Sequence, residues 1–97
     1  MNNKVLRLLG LATNAGKVIT GIELSEKAVK NNKAKLIVLT RETKESTSEI
    51  FTKSKLPVIF VESNEILGKF TGKDFRSVAV ITDKGFAEAI LKESEEG

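Results

Sequence analysis

Three uninterrupted apolar runs, AKLIVLT at 34–40, PVIFVE at 57–62 and SVAVIT at 77–82, constrain this chain more than any other feature. Runs of strand length without polar alternation describe strands covered on both faces, so helices have to lie above and below them. The segments between supply such helices. Val5, Leu8, Leu9, Ala12 and Ala15 recur at three and four, which predicts an amphipathic helix over residues 3–14 with Asn2 or Asn3 as its cap. KVIT is a short β-branched run between Gly16 and Gly21, expected as an edge strand. Beyond Gly21, Leu24, Ala28 and Val29 continue a helical face opposite Glu23, Lys27 and Lys30, and this second helix is expected to end near KNNK. Ser46 and Glu49 form a capping-box pattern ahead of Ile50 and Phe51, in a third helix stopped before Pro57. NEILGKFTG reads as a short helix with Ile66, Leu67 and Phe70 inward and Gly72 as a left-handed cap, and Asp83 can cap a last helix carrying Phe86, Ile90 and Leu91. Helices alternating with apolar strands predict an α/β chain, a three-layer α/β/α sandwich on a small sheet of about four strands. At 97 residues it is expected to be one domain, 1–97, with one core.

Composition narrows the chemistry. The chain has no cysteine, which excludes a disulfide framework and a thiolate metal site, and no histidine, which removes the commonest general base and metal ligand. Tyr and Trp are absent as well, leaving Phe as the only aromatic. The expectation is a protein that is not an enzyme and uses no cofactor or metal. The first residues carry a short apolar stretch broken by Arg7 without a small-residue cleavage pattern, and no apolar run reaches spanning length, so a cytoplasmic protein without a membrane partner is expected. Net charge is only +3, but residues 1–55 carry +6 and residues 56–97 carry −3. A basic half is the footprint expected for an anionic partner, while KESEEG at the end reads as a solvated acidic tail that frays.

Two short stretches carry the candidate site. In NAGKVITGIEL, residues 14–24, the glycines resemble a phosphate loop, but Gly10 and Gly16 are one residue too far apart, and Val18 stands where magnesium needs Ser or Thr. Between Gly16 and Gly21 the spacing fits, yet Ile22 and Glu23 replace the required Lys and Ser/Thr. What remains is a helix starting at Gly21, whose unpaired backbone N–H groups can hold a phosphate or a base-edge acceptor, flanked by Lys17 and Lys27. The alternative is that Gly21 only turns the chain and the lysines are ordinary surface. In GKDFRS, residues 72–77, Phe75 stands between Lys73 and Arg76, a pattern suited to stacking an unpaired base between phosphate-holding cations. Here the alternative is that Phe75 folds back onto the core. The acid pairs Glu23–Glu26 and Glu62–Glu65 have no partner at a diagnostic spacing, and helix-end stabilisation accounts for them.

The order GKVITG, KAVKNNKAKLIVLT, LPVIFVESNEILGKFTG, SVAVI resembles the ribosomal large-subunit family of kink-turn RNA binders, the L-seven-Ae and L-thirty-e type. LGLATNAGK and DKGFA are similar to its small bacterial, YlxQ-like branch. The resemblance covers nearly the whole chain. It implies a mixed sheet and a non-enzymatic protein that binds structured RNA, ribosomal RNA among the candidates, in which a bulge bends two helices and exposes sheared G·A pairs. Contacts are implied from Gly21, Ile22, Glu23 and Lys27, and from Lys73, Asp74, Phe75 and Arg76 after the LG helix. Gly21 and Lys27 match the family's glycine and lysine, for close backbone approach and for a cation reaching guanine acceptors or phosphate. The family's Asn–Glu pair aligns with Glu23 and Leu24; Glu23 can accept from a guanine amino group, whereas Leu24 cannot hydrogen-bond and is expected to face the core. The chain is expected to act as a monomer, its short edge strand giving no reason to pair. A protein-interaction module that keeps the fold without the RNA site is the alternative.

Overall fold

The computed structural model describes residues 3–96. Its elements run α1 (Asn3–Asn14), β1 (Val18–Thr20), α2 (Ile22–Lys30), β2 (Leu36–Thr40), α3 (Glu45–Thr52), β3 (Val58–Val61), α4 (Asn64–Phe70), β4 (Val78–Ile81) and α5 (Lys84–Glu96). The strands form one mixed sheet in the order β1-β4-β2-β3. β4 is antiparallel to β1 and β2, with Val18 opposite Ile81 and Leu39 opposite Val78, and β2 runs parallel to β3.

Period-two alternation divides the central strands between two cores. Leu36, Val38, Ala79 and Ile81 face Val5, Leu6 and Leu9 of α1, Leu67 of α4 and Ile90 of α5. Ile37, Leu39, Val78 and Val80 face the other way, onto Ala28 of α2 and Phe51 of α3. The result is the expected three-layer α/β/α sandwich, with three helices on one face of the sheet and two on the other.

This topology gives the sheet two chemically different ends. The C-terminal ends of β1, β2 and β3 and the start of β4 form the upper end, where the first turns of α2, α3 and α4 also begin. At the lower end lie Lys17 before β1, Lys35 before β2, Pro57 before β3 and Thr82 after β4.

Several local expectations change. PVIFVE is not covered on both faces: β3 is the second edge strand, and Phe60 is 42% exposed. Two helices on that face cover Ile37, Leu39 and Val58, and the alternate residue of the outermost strand lies beyond them. Ser46 and Glu49 do not form a capping box, because α3 begins two residues earlier than that pattern requires, with Lys44 in the extended N-cap position and no side-chain cap. Asn3 is the first residue of α1 rather than its cap, and Asn2 lies outside the described residues. The acidic tail is helical through Glu96, and Gly97 lies outside the described residues. The cap of α5 follows the sequence, Asp83 Oδ2 accepting from the Phe86 N–H at 2.8 Å, and α4 gains a further one, Ser63 Oγ accepting from the Ile66 N–H at 3.1 Å. At the end of α4, Lys73 N–H donates to Gly68 O and Gly72, at φ 75°, donates to Lys69 O, the two bonds of a Schellman motif.

Candidate nucleic-acid interface

At the upper end, the chain leaves β1 through Gly21, whose N–H continues the ladder to Val78 O at 3.0 Å and whose carbonyl accepts the first helical bond from Ser25. Its φ of 95° and ψ of 151° belong to a region reserved for glycine. A Cβ there would meet nothing within 4 Å, so the requirement is conformational and the backbone is open to approach. No side chain caps α2. The first N–H groups of the helix therefore face outward unsatisfied, which favours an acceptor or anion at this position.

The other wall is the α4–β4 loop. Gly68 allows this loop to fold back on α4: a Cβ at that position would collide with the Asp74 carbonyl and lie 2.9 Å from the Phe75 nitrogen. Arg76 N–H donates to Asn64 O at 3.1 Å, and Thr43 Oγ1 donates to Ser77 O at 3.0 Å, so neighbouring loops fix the rest. Held this way, the Phe75 ring projects into solvent, 64% exposed, and does not fold onto the core. One Arg76 nitrogen returns to Phe75 O at 2.7 Å.

Together the two walls enclose an open, shallow cleft of about 440 Å³, in which Gly21, Ile22 and Glu23 face Phe75 and Arg76. Five of the residues singled out in the sequence thus meet. Lys27, one helical turn beyond Glu23, borders an adjoining depression of about 190 Å³ with Ile19 and Asn31. Lys73 and Asp74 are exposed on the loop but do not line the cleft. Lys17 is elsewhere: its carbonyl accepts from Thr82 N–H at the lower end of the sheet, some four strand residues or about 13 Å from Gly21.

Leu24 reverses its expectation. It is 61% exposed and lines both the cleft and the Lys27 depression, while Ser25 and Ala28 take the core-facing positions of α2. Small residues there let the helix lie close to β1, and Ser25 Oγ reaches Ile19 O at 3.5 Å. Ile22, Leu24 and Phe75 consequently form an exposed apolar surface beside Arg76 and the open helix start. Ser25 three residues before Ala28 is the signal that could have identified the buried stripe.

Among the described residues, no group of three or more acids could hold a metal ion, and no helix is long and apolar enough to cross a membrane.

Comparison with known proteins adds the lineage. A model of the ribosomal protein L7Ae/L30e/S12e/Gadd45 family matches residues 3–91. The RNA-binding protein YlxQ of Bacillus subtilis (strain 168) is 40% identical over 88 residues, covering 87% of this chain and 88% of its own. The large ribosomal subunit protein eL8 of Cenarchaeum symbiosum (strain A) is 33% identical over 98 residues, 92% of this chain and 75% of that one. A solved protein of unknown function from Bacillus halodurans C superposes with a TM-score of 0.88 at 31% identity, over 95% of this chain and 97% of that chain.

Proposed function

The chain belongs to the ribosomal protein L7Ae/L30e/S12e/Gadd45 family, and from that membership we propose that it is a non-enzymatic RNA-binding protein that recognises structured RNA of the kink-turn type. One observation carries the reading: the uncapped start of α2 and the α4–β4 loop meet at one cleft, with open backbone N–H groups on one side and an exposed Phe75 beside Arg76 on the other. Backbone donors and Glu23 suit the edges of non-canonical pairs, and Phe75 with Leu24 and Ile22 suits a base extruded from the stack. Lys27 and Arg76 hold the flanking phosphates. An ordinary RNA duplex hides its bases in a major groove too narrow for side chains, so an RNA that splays its strands fits this cleft better. The relatives named for RNA binding and for the large ribosomal subunit support a role in ribosome- or translation-linked RNA.

The test is titration of the protein with a short RNA duplex containing a kink-turn, and with the same duplex lacking the bulge, at two salt concentrations. A preference for the bent RNA that persists at higher salt and falls in Lys27→Ala is expected. Equal and strongly salt-dependent binding to both would leave only counterion release. The exposed apolar surface of Ile22, Leu24 and Phe75 favours a second reading, a protein-docking module, and binding to neither RNA would select it.

A further inference from the structure

The basic half of the sequence does not gather at the cleft. Around the upper end Glu23, Glu42, Glu62 and Asp74 balance Arg41, Lys44, Lys73 and Arg76. The unbalanced cations lie at the opposite end. Lys17 precedes β1 and Lys35 precedes β2. Lys33 lies in the α2–β2 connection, and Lys53 and Lys55 lie between α3 and β3. All five are exposed, and among the described residues none of them forms an ion pair. Lys35 joins two open clefts of about 370 and 380 Å³, one shared with Lys55 and the other with Lys84. The acids nearby are engaged: Asp83 caps α5, and Glu88 pairs with Lys84 at 3.9 Å.

Lysines at the ends of α2 and α3 could be there only to complement helix C-termini. Lys35 has no such explanation, because it precedes a strand, whereas Lys84 at the start of α5 is held by Glu88. We infer that this lysine row is a second RNA-contacting surface, which holds the phosphate backbone of a duplex at the end of the sheet opposite the kink-turn cleft. Repeated unpaired ammoniums on an open surface match a repeating phosphate rather than a single small anion, which would call for converging polar groups. No aromatic ring lines either cleft, so stacking on an unpaired base is not part of the contact. Binding there is read by charge and shape, without sequence preference.

The inference goes beyond the proposed function, and one set of titrations separates them. A plain RNA duplex of about 20 base pairs, longer than the span of a typical double-strand-binding module, is titrated across a salt series beside the kink-turn RNA. The proteins are the wild type, Lys35→Ala/Lys53→Ala/Lys55→Ala, the same three positions changed to Arg, and a charge-matched control, Lys4→Ala/Lys69→Ala/Lys92→Ala; Lys33 is left unchanged because it borders the depression that holds Leu24 and Lys27. The alanine triple is expected to bind the plain duplex about tenfold or more weakly at low salt, with the slope of log K against log salt reduced by about three. The arginine triple should retain both, and the control should lose far less. An unchanged slope in the alanine triple, or an equal loss in the control, would overturn the inference. Preference for the kink-turn is read in the same data: its absence in the wild type defeats the proposed function, whereas the lysine effect on the plain duplex stands or falls separately.

Discussion

Gly21 is fixed by its dihedral angles, not by crowding, since a Cβ would find open space while φ 95° and ψ 151° exclude ordinary side chains. Gly21→Ala is therefore expected to cost about 1–3 kcal/mol of stability, visible as a lower midpoint in thermal unfolding, and to weaken kink-turn binding by moving the α2 start. Phe75 presents the opposite case. Its ring is 64% exposed, so Phe75→Ala should leave the melting temperature nearly unchanged while reducing affinity for the bent RNA by about 1–3 kcal/mol. An unaltered affinity in that variant would remove the stacking role. That Gly21, Glu23, Phe75 and Arg76, which line one cleft, were candidates was legible because their types carry chemistry: a turn glycine, an acid at a helix start, and an aromatic beside a cation. Leu24 was not, because leucine is ordinarily core, and its exposure depends on Ser25 and Ala28 occupying the face that meets the sheet.

At the scale of elements, α4 has the clearest internal logic. Ser63 opens it with a side-chain cap, and a Schellman motif closes it; Ser63→Ala is expected to lower stability by about 0.5–2 kcal/mol without touching the cleft. Gly68→Ala acts differently. Its methyl would strike the backbone of Asp74 and Phe75, so the loop has to shift, at an expected cost of about 1–3 kcal/mol. Affinity for the bent RNA should fall with stability in Gly68→Ala and stay constant in Ser63→Ala, a contrast that melting curves and titrations read together. Strands β2 and β4 followed from their apolar runs and the stripes of α4 and α5 from periodicity, whereas α1 buries Leu6 in addition to Val5, Leu9 and Ala12 and leaves Ala15 exposed beyond its end. The place of β3 did not follow, since an apolar run describes burial in general and says nothing of which strand lies outermost.

For the whole molecule, charge is arranged by end of the sheet rather than by half of the sequence. The kink-turn RNA is expected to keep an affinity margin over a plain duplex as salt is raised, because base-edge and stacking contacts release no counterions; a margin that vanishes at high salt would show that the cleft contributes no such contacts. By itself the sequence determined the layers, the absence of histidine and cysteine chemistry, and the two segments that build the cleft, because these depend on residue type and local period. Only the tertiary structure decided that Lys17 lies away from Gly21, that Leu24 faces solvent, and that lysines from three separate connections share one end. The positions of the lysines depend on strand order and direction, since crossing β1, only three residues long, moves the chain from one end of the sheet to the other, and the exposure of Leu24 depends on which face of α2 packs on the sheet.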